Sequence, residues 1–256
     1  MTHTPRTIRL IPVLLLVVSA AFVARPAQAG QDYTHIGQMR TLQTEREDTL
    51  IHLARDHNLG FVEIRAANPG IDPWLPGAGK DVTLPTRHLL PDAPQKGMVI
   101  NLSEMRLYHY REPDSKPVSY PIGIGRSGLS TPTGETKIVS KTARPEWRPT
   151  PRMREKDPDL PGIVPPGPEN PLGTHALYLG WNAYLLHGTN QPYGIGRRVS
   201  SGCIRLYPED IVTLYRDTDT GTPVHVVKQA IKLAWIDDTL YMEAHTPHDK
   251  AMEMEK

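Results

Sequence analysis

The longest mostly apolar run is the 15 residues from Leu10 to Ala24. Elsewhere apolar positions recur at short spacings. Leu50, Leu53 and Ala54 follow Asp48 and Thr49, either of which can cap a helix, and that pattern ends near Asn58–Gly60. Val62, Ile64 and Ala67 form the apolar set of a second short helix, stopped by Asn68-Pro69-Gly70. Asp81-Val82-Thr83-Leu84-Pro85 predicts a strand. Residues 87–97, rich in proline and polar side chains, predict a linker. From there the pattern is strand-like. Val99–Leu102 and Met105–Tyr108 flank Ser103-Glu104 as a tight hairpin, and short β runs follow at 118–122, 136–139, 176–179, 184–187 and 224–227. One helix is predicted from Pro208 to Tyr215, with Glu209 and Asp210 in its first turn. The fold class that emerges is a mainly β domain over 98–228, a sandwich or barrel with one short helix. A small α+β module at 32–86 precedes it. A C-terminal extension, 229–256, opens strand-like at 231–235 and 240–242, and its last dozen charged residues are expected to fray.

The N-terminal run reads as an export address. Arg6 and Arg9 precede it and Ala27-Gln28-Ala29 supplies a small-x-small cleavage site. The run is shorter than a bilayer span of about 20 residues and Pro12 interrupts it, so cleavage after Ala29 is expected rather than retention as an anchor. No later stretch is apolar enough to span, so the mature chain is expected in the periplasm without a membrane segment. Composition agrees with a globular protein: 38% hydrophobic, 22% charged, formal net charge +1. A charge that small gives no electrostatic footprint for nucleic acid.

Residues 142–173 break the strand pattern with nine prolines. A loop this long inside a domain is usually functional. Gly162 and Gly167 offer hinges, so 145–172 is expected to form a lid over a cleft, the alternative being a stiff passive loop.

An exported chain normally pairs its cysteines, and Cys203 has no partner. It is either buried and inert or used. It lies in Ser200-Ser201-Gly202-Cys203-Ile204-Arg205, sixteen residues after His187-Gly188-Thr189, with glycine-rich Tyr193-Gly194-Ile195-Gly196 between. The interval can double back and bring imidazole to thiol. A neighbouring histidine eases loss of the thiol proton, and the thiolate is the attacking form. Gly202 permits close approach of a substrate carbonyl and leaves nearby amides, Ser201 and Gly202 among them, to face an oxyanion. The Gly188 oxygen or the Thr189 hydroxyl can orient the imidazole. Arg205 can grip a carboxylate or fix the loop, Tyr193 can line the cleft, and Arg197 and Arg198 read as solvated loop charges. A metal site of Cys203, His187 and His225 is the competing arrangement, but the spacing fits no zinc pair. No metal and no cofactor is expected.

This stretch closely resembles the L,D-transpeptidase (YkuD-type) family, which carries His-Gly-Thr and then Ser-x-Gly-Cys-Ile/Val-Arg. Gly123-Ile124-Gly125-Arg126 and Thr131-Pro132-Thr133-Gly134 match its upstream strand and turn. Pro165-Pro166-Gly167-Pro168 with Asn170-Pro171-Leu172-Gly173 resembles the enterobacterial branch that attaches lipoprotein to the wall. The resemblance implies a thioester enzyme acting on peptidoglycan stem peptides, with a second stem, a Braun-type outer-membrane lipoprotein or water as acceptor. Many members carry histidine where this chain has Ser201, which leaves His187 as the nearby base. Residues 32–86 resemble a LysM domain through Asp48-Thr49-Leu50 with Leu53-Ala54, Ala67-Asn68-Pro69 and Val82-Thr83-Leu84-Pro85. That likeness implies binding to glycan strands, and a module that only packs to orient the enzyme domain is the other reading. A wall-binding protein with an idle cysteine site remains the non-enzymatic alternative.

Overall fold

The structure is a computed structural model that describes residues 33–245 of the chain. The expected signal segment and the end of the tail lie outside them. In chain order the elements are β1 (His35–Ile36), β2 (Arg40–Gln43), α1 (Leu50–Asp56), α2 (Phe61–Ala67), β3 (Asp81–Leu84), β4 (His88–Leu89), β5 (Gly97–Asn101), β6 (Arg106–Tyr110), β7 (Val118–Pro121), β8 (Ile124–Gly125), β9 (Gly134–Ala143), α3 (Pro151–Lys156), β10 (His175–Leu179), β11 (Leu185–His187), β12 (Arg198–Ser200), β13 (Ile204–Arg205), α4 (Pro208–Arg216), β14 (Pro223–Val227), β15 (Ile231–Ile236) and β16 (Thr239–Ala244).

The first part is a β–α–α–β unit, because β2 pairs antiparallel with β3 around the two helices. Thr49 rather than Asp48 caps α1: its Oγ1 accepts from the His52 amide at 3.2 Å, while Asp48 accepts from Glu45. Seven residues are too few for a helix to stand alone. Leu50, Leu53 and Ala54 supply the missing stability by packing on Leu59, Ile64, Val82 and Leu84, each fully buried leucine contributing roughly 1.5–3 kcal/mol.

The mainly β part is a mixed eight-stranded sheet in the order β13-β11-β10-β9-β14-β5-β6-β7. Most pairs are antiparallel, and β14–β5 and β11–β13 are parallel. The sheet curls until its ends meet. Gly123, just beyond β7, exchanges both backbone hydrogen bonds with Arg205 of β13, at 2.8 and 2.9 Å. Its interior holds Met98, Ile100, Leu107, Ile122, Ile138, Leu177, Leu186 and Ile204, with α4 sealing it through Ile211 and Leu214.

The stretch expected as a linker is built in instead. His88 and Leu89 pair with β1 and are buried, because Tyr108 and Tyr110 on the outer face of β6 need cover, which Ile36 and Leu90 supply. The C-terminal extension is a hairpin of β15 and β16, carrying Leu233, Trp235 and Met242 on its exposed face. The proline-rich excursion joins β9 to β10 and contains α3. Buried Asn170 pins its base, the side-chain amide donating to the carbonyls of Pro145, Val164 and Pro165. Among the described residues no helix is long and apolar enough to cross a membrane.

Candidate active site

Strands β11 and β13 run parallel, with Leu186 opposite Ile204 and His187 opposite Arg205. Residues in register share a face of the sheet, so His187 and Arg205 lie on one side of this single strand pair. Cys203 directly precedes β13, with its thiol beside the backbone of Ala183 and Leu185.

His187 is 4% exposed. Its Nδ1 lies 2.6 Å from the Gly188 carbonyl oxygen, an acceptor that requires an N–H at Nδ1. The lone pair of the neutral ring is then on Nε2. Burial, then the charge of Arg205, lowers the His187 pKa to about 3, opposed by the Gly188 and Leu172 carbonyls, which would accept from a protonated ring. The ring is thus neutral at physiological pH and competent to accept a proton.

Cys203 is partly exposed, and its thiol points at the Ala183 carbonyl at 3.6 Å. Burial pushes its pKa up, while a hydrogen bond from the Leu185 backbone and the Arg205 charge oppose that rise. The resting pair is accordingly thiol and neutral imidazole, and the proton has to move as attack proceeds.

The loop that carries the thiol is fixed from several sides. The Ser200 hydroxyl donates to the Cys203 carbonyl at 2.5 Å and accepts from the Gly202 amide at 3.1 Å. The Gly202 amide is therefore engaged, contrary to the expectation that it faces an oxyanion, and Ser201 is exposed. Gly202 has φ +115°, in the left-handed region that favours glycine, and a Cβ there would stand 3.0 Å from the Tyr184 ring. Thr131 donates to the Gly202 carbonyl at 2.8 Å and accepts from the Gly125 amide. Thr189 accepts from the Gln191 amide, so the Gly188 oxygen is what holds the imidazole.

Two expected roles change. Tyr193 is half exposed and its hydroxyl lies 3.4 Å from Nε2 of His52 in the N-terminal unit. Arg197 is not a solvated loop charge: its guanidinium lies 3.8 Å over the Phe61 ring. These contacts belong to a seam where the first turn of α2 abuts the interval between His187 and Cys203. The Phe61 and Val62 amides donate to Ile195 and Gly196, and a Cβ on Gly196 would stand 2.4 Å from the Gly60 Cα. His225 lies on β14, with β10 and β9 between it and β11, so it does not join Cys203 and His187. Ser200 stands in the motif without an expected role, and Tyr184 and Ala183 act here without any sequence signal beyond their nearness to His187.

The model of the YkuD L,D-transpeptidase catalytic domain matches residues 95–226. The probable L,D-transpeptidase YcfS of Escherichia coli K12 is 45% identical over 204 residues, 76% of this chain and 64% of that protein. The probable L,D-transpeptidase YbiS of the same strain is 40% identical over 216 residues, 82% of this chain and 70% of that protein. This chain thus spans less than two thirds of the length of the first of them. Among solved structures, L,D-transpeptidase 3 from Mycobacterium tuberculosis is similar at 19% identity, covering 58% of this chain and 67% of that one, with a TM-score of 0.41. The chain belongs to the L,D-transpeptidase family, with its YkuD-type catalytic domain at 95–226.

Proposed function

We propose that this enzyme transfers a peptidoglycan stem peptide through a thioester on Cys203. The observation that carries the reading is the β11–β13 register, with His187 Nδ1 tied to Gly188 and Nε2 left as base. Attack on the carbonyl of the L-centre of the third stem residue moves the thiol proton to His187. The terminal D-alanine departs with that proton, leaving an acyl-enzyme. An amine then attacks the thioester, gives its proton to His187, and Cys203 is released. Arg205 stabilises the thiolate as it forms and opposes a lasting imidazolium, so the proton passes on readily.

The acceptor is the side-chain amine of a second stem or the C-terminal lysine of a Braun-type lipoprotein, and water gives the carboxypeptidase reading. The likeness of the proline-rich segment to the lipoprotein-attaching branch supports the lysine. We place the mature enzyme in the periplasm, after loss of residues 1–29, with the β–α–α–β unit acting as a LysM-like module on glycan strands. The excursion, whose Leu172 carbonyl reaches His187, is read as the lid of this site. The test is digestion of cell walls from a strain expressing this enzyme alone, with mass spectrometry of the fragments. A new amide at the third stem residue is expected with the native chain and none with Cys203→Ala. Walls identical in the two strains would sink the reading, and trimming without a new amide would make water the acceptor.

A further inference from the structure

A cavity of about 460 Å³ lies away from Cys203, where α2, the β5–β6 turn and the C-terminal hairpin meet. Only Ser103, Glu104 and Met105 of its lining come from the span matched by the catalytic-domain family. Its walls are largely apolar, with Val62, Leu89 and Met105 buried and Ala66 exposed at the mouth.

Three buried side-chain atoms of the residues lining this cavity have no hydrogen-bond partner among the described residues, and one of them, His245 Nε2, stands instead in ion pairs with Glu104 and Glu243. Glu104 has a side chain 2% exposed; Lys232 holds its Oε2, and its Oε1 is buried and unbonded. Arg87 lies over the Tyr241 ring at 5.0 Å with its Nε buried and unbonded. One is an acceptor awaiting a donor, the other a donor awaiting an acceptor. A ligand that offers both satisfies the pair.

Charge decides between a cation and a neutral ligand. Glu104, Glu243 and His245 present ligand atoms within 4.8 Å of one another, which superficially suits a metal. Lys232 Nζ, however, already contacts both carboxylates. His245 lies 3.3 Å from Glu104 and 3.0 Å from Glu243 and is held protonated by them, its pKa raised to about 9. Glu63 is matched by Arg106 at 2.8 Å. Two acids thus face two cations at the floor, and Arg87 adds a further positive charge at the wall, so an added cation meets no unbalanced negative charge and an added anion meets the carboxylate of Glu104.

We infer that this cavity binds a neutral secondary amide with a small apolar substituent, its N–H donating to Glu104 Oε1 and its carbonyl accepting from Arg87 Nε. An amide of this kind occurs both as an acetamido group on a sugar and as an alanyl peptide unit. The proposal is independent of the chemistry at Cys203.

The experiment labels the methionine methyl groups of the full chain with ¹³C and follows Met105 by NMR. The probes are di-N-acetylchitobiose, N-acetyl-alanine methylamide and N,N-dimethylacetamide, a tertiary amide with no N–H. Saturable shifts of Met105 are expected with one or both secondary amides, and which probe binds names the source. The tertiary amide is expected to bind at least tenfold more weakly. Ala66→Trp, which narrows the mouth from an exposed position, is expected to weaken the secondary amide at least tenfold while leaving Cys203 acylation unchanged. No saturable shift, tertiary amide binding of equal strength, or binding indifferent to Ala66→Trp would overturn the proposal.

Discussion

His187 and His245 are both largely buried, yet at neutral pH the first is neutral and the second carries a positive charge. His187 is hemmed in by backbone carbonyls and faced by Arg205, so burial and a like charge keep it neutral. His245 suffers the same burial, but the carboxylates of Glu104 and Glu243, 3.3 and 3.0 Å from its Nε2, outweigh it. Depth alone does not set the charge of a buried histidine; the sign of its nearest partners does. The active-site end needs a ring that can take up a proton, and the hairpin end uses one that already has it. The α2 helix touches both ends, through backbone contact with the loop at Ile195–Gly196 and through the Glu63 side chain near the ion cluster.

The comparison breaks most severely at the active site. His187→Ala is expected to slow Cys203 acylation by a carbapenem by roughly two orders of magnitude or more near pH 7, because an unassisted thiol is little ionised there. Part of the loss should return toward pH 9 as hydroxide takes over. In the native chain, a ring with pKa about 3 stays neutral from pH 5 to 8. The rate profile should therefore show no inflection near 6.5, and one there would place a protonatable His187 in the resting site.

At the other end, Lys232→Met leaves Glu104 and Glu243 facing each other with His245 as their one remaining cation. Breaking a buried pair in this way costs about 3–5 kcal/mol. Urea unfolding should register that loss, while the pH profile of Cys203 acylation in the folded fraction keeps its shape. A changed profile would mean that the two ends are electrostatically coupled.

The smallest effect is a slope. The His245 pKa is raised from 6.5 to about 9 in the folded chain. Its contribution is therefore complete below pH 6.5 and lost as pH rises through 9. The loss is on the order of 2 kcal/mol between pH 7 and 10. His245→Gln should lower stability at pH 7 and flatten that alkaline decline. Parallel native and variant curves above pH 7 would remove His245 from the account.

What could be read from the chain follows the range of the interactions. The helices at 50–56 and 61–67, the hairpin around Ser103-Glu104 and the helix opened by Pro208 rest on local spacing and capping, so their residues announce them. Strand β2 escaped notice because Arg40-Thr41-Leu42-Gln43 has a single apolar position and is a strand only through its pairing with β3. His88–Leu89 escaped because proline and charge surround it, and its burial comes from tyrosines twenty residues on. At the site, His187 and Cys203 stand in a motif, whereas the engaged Gly202 amide depends on a serine rotamer that spacing does not encode. The ion cluster was invisible for the same reason: its members are drawn from positions 104, 232, 243 and 245.

That wide separation also sets an order of events during synthesis. The β–α–α–β unit and the β5–β6 turn are complete before half the chain has been made and are joined by Arg106 to Glu63, yet the ammonium that balances Glu104 arrives only with β15. Strand β4 pairs with β1 early on, but the Leu89 carbonyl and amide gain their Lys232 and Glu243 partners only with these late residues. A stop codon placed shortly after Val227 would yield every strand of the eight-stranded sheet and the whole catalytic motif, but with Glu104 buried beside no ammonium and β4 held by β1 without its Lys232 and Glu243 contacts. Proteolysis near residues 88–90 should be the first sign of such a truncated product.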